Sequence, residues 1–259
     1  MSKNIFKENN FLKLEKNLKN NEKISLFLDY DGTLSHFTKN PEVAKPVKGV
    51  KKVIEKISNF NFVNITIISG RSLQVLTNMI KLDNIYYAGL HGLEMQNQQP
   101  LKLNRQKIKK YKELIKNNYS QAIKNDQVYI EDKKFVLSIH HRDNFKNVNK
   151  LKKFLDNLID DNKYEVMVGR KILEIKPKNW NKGKTVKMLR NSFFKNQKPF
   201  EIYIGDDTTD EDAFSVINGI SIYVKNQSKM SPKANFYLNN PDEVLLFLKK
   251  LKKLLERKN

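Results

Sequence analysis

Two hydrophobic rhythms alternate along the first part of the chain. Stretches whose apolar residues return at helical spacing are separated by short, continuous apolar runs. Phe6 to Lys19 has helical spacing. Ile24 to Leu28 is an uninterrupted apolar run, as in a strand buried on both faces. Val47 to Phe60 is helical again, with Val50, Val53, Ile54 and Ile57 on one side. Ile65 to Ile68 reads as a second strand, Leu73 to Ile80 as a helix and Ile85 to Ala88 as a third strand. This alternation predicts an α/β fold of parallel strands joined by right-handed crossovers. Sheets of that kind bind ligands at the carboxyl ends of their strands.

The pattern changes after about Asn97. Arg105 to Lys124 reads as one long basic helix, followed by strand-like segments at Gln127 to Ile130 and Phe135 to His141. A helix from Phe145 to Ile159 leads to a second strand pair, Tyr164 to Val168 and Lys171 to Lys176. The order is α-β-β-α-β-β, and the hairpin-length connections suit antiparallel strands. A small α+β domain over residues 97–178 is therefore expected, inserted into a core made of residues 1–96 and 179–259. The first rhythm resumes with Asn181 as an N-cap for a helix from Lys182 to Phe194. A strand at Glu201 to Ile204, a helix and a strand at Ile220 to Val224 follow. Asn240-Pro241-Asp242-Glu243 starts a final helix, with proline and acids in the first turn. Its apolar stripe is expected to pack on the sheet.

Candidate chemistry gathers at the predicted strand ends. Asp29 and Asp31 follow the first strand in Leu28-Asp29-Tyr30-Asp31-Gly32-Thr33-Leu34. Residues two apart in an extended chain share a side, so both carboxylates are expected to look into one space while Tyr30 looks away. Such a pair is repulsive unless a cation or a shared proton intervenes. Ser69-Gly70-Arg71 closes the second strand, Lys182 opens a helix, and Gly205-Asp206-Asp207-Thr208-Thr209-Asp210-Glu211 closes the fourth core strand. Each cluster alone has an ordinary reading as a polar turn or a helix cap. The ensemble, in this order and at these element ends, is specific.

The four clusters resemble the motifs of the haloacid dehalogenase-like phosphatases. Those motifs are Asp-x-Asp-Gly-Thr, a Ser or Thr closing the second strand, a Lys, and Gly-Asp-x-x-x-Asp. The resemblance implies a Rossmann-like core with a parallel sheet and magnesium-dependent phosphoryl transfer. It implies that Asp29 is the nucleophile, forming an aspartyl-phosphate, and that Asp31 is general acid and then base. Magnesium suits an all-oxygen site. Its implied ligands are the Asp29 side chain, the Asp31 backbone carbonyl and Asp206, with Asp210 holding the metal or its waters. Ser69, Gly70 and Arg71 would receive the phosphoryl group at a helix start that favours anions. Lys182 would tie that group to the nucleophile; Lys184 is a neighbouring alternative with a poorer match.

Within that superfamily the surroundings of the motifs are similar to the trehalose-phosphate phosphatases. Leu28 to Leu34, Ile68-Ser69-Gly70-Arg71, Ala88-Gly89-Leu90-His91-Gly92-Leu93-Glu94 and Gly205 to Asp212 carry the likeness, which spans roughly Ser25 to Val224. The inserted αββαββ segment fits the cap domain of that branch. The resemblance implies hydrolysis of trehalose 6-phosphate to trehalose and phosphate, with the sugar read by the cap. Glu131, His140, Arg142 and Glu174 are the expected sugar contacts, with Lys133, Arg170 and Lys176 beside them. Ser138-Ile139-His140-His141-Arg142 departs from the family's Ser-Val-His-Tyr-Arg by His141 in place of Tyr. Sucrose-phosphate and mannosyl-phosphoglycerate phosphatases share the core and similar caps, so another sugar phosphate remains an alternative. A non-catalytic basic binding protein on the same scaffold is a further one.

The net charge of +21 raises the question of a polyanionic partner. The lysines are spread over the whole chain among asparagines, isoleucines and aromatics, which reads as compositional bias with mild attraction for anionic substrates. No specific nucleic acid and no membrane partner is expected. The absence of cysteine excludes disulfides and thiolate metal sites. No signal-like apolar segment and no run of membrane-spanning length is evident. The expectation is a cytoplasmic monomer acting on a small sugar phosphate.

Overall fold

The computed structural model describes residues 2–38, 43–96, 104–160, 162–169, 171–193, 197–226 and 232–258. In chain order the elements begin with β1 (Lys3–Asn4), α1 (Glu8–Asn20), β2 (Ile24–Leu28), α2 (Val50–Ser58), β3 (Val63–Ile68), α3 (Leu73–Ile80), β4 (Tyr86–Gly89) and β5 (Glu94–Met95). Then come α4 (Arg105–Asn118), α5 (Ser120–Lys124), β6 (Val128–Asp132), β7 (Leu137–His141), α6 (Val148–Leu158), β8 (Tyr164–Gly169) and β9 (Ile172–Pro177). The chain ends through α7 (Lys182–Phe193), β10 (Phe200–Gly205), α8 (Glu211–Phe214), β11 (Gly219–Val224), β12 (Phe236–Leu238) and α9 (Pro241–Glu256). It divides into two compact units, Met1–Gln98 with Asn181–Asn259, and Gln99–Trp180.

The first unit is built on an eight-stranded sheet ordered β1-β12-β11-β10-β2-β3-β4-β5. Its pairings are parallel except the last, β4 with β5. β2 and β10 are buried along their full length, as their apolar runs require when helices cover both faces. From β2 the chain winds to β3 and β4 on one side; it returns through β10 and β11 on the other. The sheet therefore reverses direction between β2 and β10, which opens a crevice at the strand ends. α9 starts as its sequence predicts, with Asn240 accepting from the Glu243 amide at 2.9 Å. It buries Val244, Phe247, Leu248, Leu251 and Leu255 in the core that contains the sheet. Among the described residues no helix is long and apolar enough to cross a membrane.

The second unit carries a four-stranded antiparallel sheet, ordered β6-β7-β9-β8. Val128, Leu137, Ile139, Leu173 and Ile175 alternate onto one face and pack with Ile108, Tyr111 and Ile115 of α4 and Leu151 and Leu155 of α6. The single helix expected over Arg105 to Lys124 is two. Tyr119 leaves helical geometry at φ −119°, ψ 24°, and its ring packs edge-on against Phe145 and Phe154. Aromatic packing thus overrides the helical periodicity at that point.

One charged pair inside the first unit is structural. Glu201 of β10 is fully buried. Arg190 of α7 grips both its oxygens at 2.6 Å, and the Asn218 amide adds a third bond at 2.7 Å. Arg190→Met should destabilise the fold by about 3–5 kcal/mol, because it strands a buried carboxylate. The double change Arg190→Met with Glu201→Leu should recover most of that loss. Urea unfolding of the three proteins checks both expectations, and unchanged stability in the single variant would refute the first.

Candidate active site

The parallel register delivers the candidate residues to one sheet edge. Leu28 of β2 pairs with Ile204 on one side and Ile67 on the other, so Asp29, Asp206 and Ser69 leave neighbouring strands together. The Asp29 amide continues the ladder to the Ile204 carbonyl at 2.9 Å, and the Ser69 amide bonds the Ala88 carbonyl at 3.0 Å. Lys182 opens α7 with Asn181 as N-cap, whose Oδ1 accepts from the Lys184 amide at 2.9 Å. The Lys182 ammonium donates to Asp29 Oδ1 at 2.6 Å and to Asp210 Oδ1 at 2.7 Å. Asp210 Oδ1 also accepts from the Tyr203 hydroxyl at 2.6 Å. Its Oδ2 accepts from the backbone amides of Asp206 at 3.1 Å and Asp207 at 3.0 Å. Asp210 is thus the hub that fixes both the ammonium and the acidic loop.

Asp29, Asp206 and Asp210 each present a carboxylate oxygen within 4.8 Å of the others, and all three are buried. One buried ammonium stands against them. Burial, with Asp210 and Asp31 adding repulsion, pushes Asp29 up to about 7 even though Lys182 opposes the shift. Burial and the Asp29 and Asp210 charges push Asp206 up to about 9. Burial alone would lower Lys182, but the Asp210 and Asp29 charges outweigh it and hold the ammonium above its usual range. An all-oxygen cluster with surplus negative charge fits a hard divalent cation. Asp29 and Asp206 are the members suited to ligate it, because both oxygens of Asp210 are already engaged.

Asp31 is near enough to add repulsion to Asp29, and its carboxylate has a further partner that the sequence does not show. The strand ends at Leu28, and the amides of Thr33, Leu34 and Ser35 turn back onto the Tyr30 carbonyl. Gly32 sits at φ +80°, where a side chain would lie 2.3 Å from Asp206 Oδ2, so glycine is required. Tyr30 does look away, fully buried, with its hydroxyl on the Ala44 carbonyl at 3.0 Å. The Asp31 carboxylate, however, lies outside the buried cluster of three. Arg71 grips it through Nε at 2.7 Å and Nη2 at 2.6 Å, and the guanidinium lies over the Tyr30 ring. Ser69 is buried and its Oγ accepts from the Arg71 amide at 3.2 Å. Gly70 faces the His91 ring, 3.0 Å from where a side chain would begin. The Thr185 hydroxyl donates to the His91 carbonyl at 2.6 Å, binding α7 to that turn. Tyr203 and Asn226 join the site without a sequence signal of their own: one reads as an apolar strand residue, the other as a loop polar residue.

In the second unit the cross-strand register Glu131–Ser138–Glu174 aligns polar side chains on the face opposite the apolar core. Glu174 is buried there, bonded to the Ser138 hydroxyl and, at 3.1 Å, to the Lys133 ammonium. His140 Nε2 lies 2.9 Å from Glu131 Oε2, and Lys133 reaches the same oxygen at 3.6 Å. The structure thus joins Glu131, His140 and Glu174 in one network and adds Lys133. It leaves Arg142 at the strand end, gripped by the side chain and carbonyl of Asp126. Lys176 pairs with Glu165 at 2.8 Å. Arg170 lies outside the described residues.

The trehalose-phosphatase family model matches residues 27–242. Among curated sequences, probable trehalose-phosphate phosphatase H of Arabidopsis thaliana is 32% identical over 258 residues, covering 90% of this chain and 73% of that protein. Probable trehalose-phosphate phosphatase E of the same plant is 33% identical over 254 residues, covering 89% and 70%. The C-terminal domain of C. albicans trehalose-6-phosphate phosphatase superposes with a TM-score of 0.79 at 24% identity, over 98% of this chain and 99% of that one. A haloacid dehalogenase-like hydrolase from Bacteroides thetaiotaomicron gives a TM-score of 0.65 at 14% identity, over 88% and 99%. The structural likenesses show the fold: an α/β architecture with a mostly parallel sheet, shared with both of those proteins.

The buried cluster fixes a pH dependence. The folded pKa values of Asp29 and Asp206 are raised from 3.8 to about 7 and about 9. Between roughly pH 4 and 9 the folded state therefore holds protons that the unfolded state has released, and stability falls as pH rises through that window. A divalent cation bound there would replace those protons. The cation-free chain should be less stable at pH 8.5 than at pH 5.5, and added cation should raise stability more at pH 8.5. Urea midpoints at both pH values, with cation and with chelator, check this; an equal increment at both would refute it.

Proposed function

The chain belongs to the trehalose-phosphatase family, and from that membership we propose that it hydrolyses trehalose 6-phosphate to trehalose and phosphate through an aspartyl-phosphate. The observation that carries the mechanism is the buried Asp29 carboxylate held at 2.6 Å by the Lys182 ammonium at the end of β2. A carboxylate so fixed is pre-positioned for attack, and the ammonium offsets charge on the transferring group. Asp29 attacks phosphorus as the bond from phosphorus to the sugar oxygen breaks, and Asp31 gives that oxygen its proton. Water then attacks phosphorus in the acyl phosphate, Asp31 takes the water's proton, and Asp29 is released. Arg71 holds the Asp31 carboxylate bidentately. A phosphate dianion offers the guanidinium an alternative partner of matching geometry, which would free Asp31 to carry its proton.

The cation is magnesium on this reading, held by the side chains of Asp29 and Asp206 and the Asp31 carbonyl. Asp210 acts from behind through Lys182 and the loop amides. When bound, magnesium supplies charge neutralisation for the phosphoryl oxygens. Ser69, Gly70 and Arg71 receive the remaining oxygens. The second unit reads the sugar. Glu131, His140 and Glu174, with Lys133, form a face of alternating donors and acceptors suited to hydroxyl groups.

Phosphate release from trehalose 6-phosphate should be magnesium-dependent and should exceed, in kcat/KM, release from glucose 6-phosphate, sucrose 6-phosphate and mannosyl-3-phosphoglycerate. Activity on another member of that panel would keep the mechanism and discard the substrate. Asp29→Asn should abolish turnover, by about 10³-fold or more, without loss of fold. Retained turnover in that variant would sink the proposed nucleophile.

A further inference from the structure

Asn226 lies two residues past the end of β11, beside the end of β10, since Tyr223 pairs with Gly205. Its side-chain nitrogen donates twice to one residue, to the Asp206 carbonyl at 2.8 Å and to Asp206 Oδ2 at 3.0 Å. The other end of the amide is fixed as well, because the Tyr223 hydroxyl lies 3.3 Å from Asn226 Oδ1. A hydroxyl donor at one end and two acceptors at the other leave only one sensible orientation for the amide. Gly32 fences the same oxygen from another side, since a side chain there would strike Asp206 Oδ2 at 2.3 Å. Among the described residues Asp206 Oδ1 meets a long contact from the Thr33 hydroxyl, at 3.5 Å.

We propose that Asn226 commits Asp206 to offering a cation a single oxygen, and thereby sets the preference of the site for magnesium over calcium. Calcium takes six to eight oxygens at longer distances and often draws both oxygens of a carboxylate. Magnesium keeps near-octahedral geometry and is satisfied by one oxygen from each carboxylate. Holding one Asp206 oxygen on Asn226 therefore favours the smaller ion. Asn226 is a positioning residue here, acting through Asp206. The inference rests on the metal-dependent reading above and adds its selectivity.

The test measures cation binding directly, by calorimetric titration of the full chain with magnesium alone and with calcium alone. Wild type is compared with Asn226→Ala and Tyr223→Phe. In Asn226→Ala, magnesium affinity should fall by about 10-fold or more, as expected for loss of a partner that orients a metal ligand. Calcium affinity should fall less or rise, so the magnesium-to-calcium ratio narrows. Tyr223→Phe, which keeps the amide but removes the hydroxyl from its far end, should narrow the ratio in the same direction by less. It carries the test if Asn226→Ala does not fold. An equal loss for both ions, or an unchanged ratio in both variants, overturns the proposal while leaving the metal reading intact. A wild-type chain that binds neither ion overturns both.

Discussion

Lys182 keeps its ammonium between Asp29 and Asp210, almost without exposure to water, and an ammonium so buried stays charged only because both carboxylates lie within hydrogen-bonding distance. Removing each ion from water costs several kcal/mol. Opposite charges 4 Å apart return about 4 kcal/mol at an effective dielectric constant near 20. The two contacts therefore roughly offset the burial of Lys182, Asp29 and Asp210. They do nothing comparable for Asp206, which is just as deeply buried and receives no ammonium directly from the described residues. With its acids ionised the first unit would thus hold an excess of negative charge, and burial accordingly keeps a proton on Asp206 up to about pH 9. A cation bound there would take the place of that proton, a role that suits an all-oxygen donor set.

The secondary structure serves this arrangement at each step. β2 lies between β3 and β10 in parallel register, so three segments distant in sequence end side by side. α7 begins at the lysine itself, so the ammonium is placed by the first turn of a helix that Asn181 caps. The loop after β10 is drawn tight by Asp210, which accepts from two of its amides. Tyr203 reaches the same carboxylate from within β10. Disturbing any one of these shifts the others, because Asp210 has no spare oxygen with which to compensate.

Much of this was legible in the chain. Fully buried strands announce themselves as apolar runs, and glycine, asparagine and proline mark where β2, α7 and α9 start or stop. The acidic and basic motif residues stand where alternating strands and helices predict a crevice. What escaped was set by tertiary contact. β1, β5 and β12 are two or three residues long, too short for any periodicity. The helix break at Tyr119 is an aromatic packing event that leaves no local signature. The pairing of Asp31 with Arg71 crosses forty positions of sequence, so strand alternation, which places Asp31 near Asp29, says nothing of it. Asn226 carries no motif; only the pairing of Tyr223 with Gly205 shows that it lies beside Asp206.

The charge of the chain and the charge of its site have opposite signs. The chain carries +21, and that field attracts anions over a range of about 8 Å at physiological salt. Once the buried acids have lost their protons, an arriving phosphate dianion would instead meet three carboxylates and one ammonium at close range. Long-range attraction cannot overcome that local repulsion, because screening confines it to the approach. On the proposed reading the order of events follows from this alone. A cation held by Asp29 and Asp206 would offset their charge before the phosphate arrives, and with it Lys182, Arg71 and the Ser69 turn would outweigh the carboxylates. The lysine-rich surface assists delivery of the substrate, whereas the few buried charges decide whether it can stay.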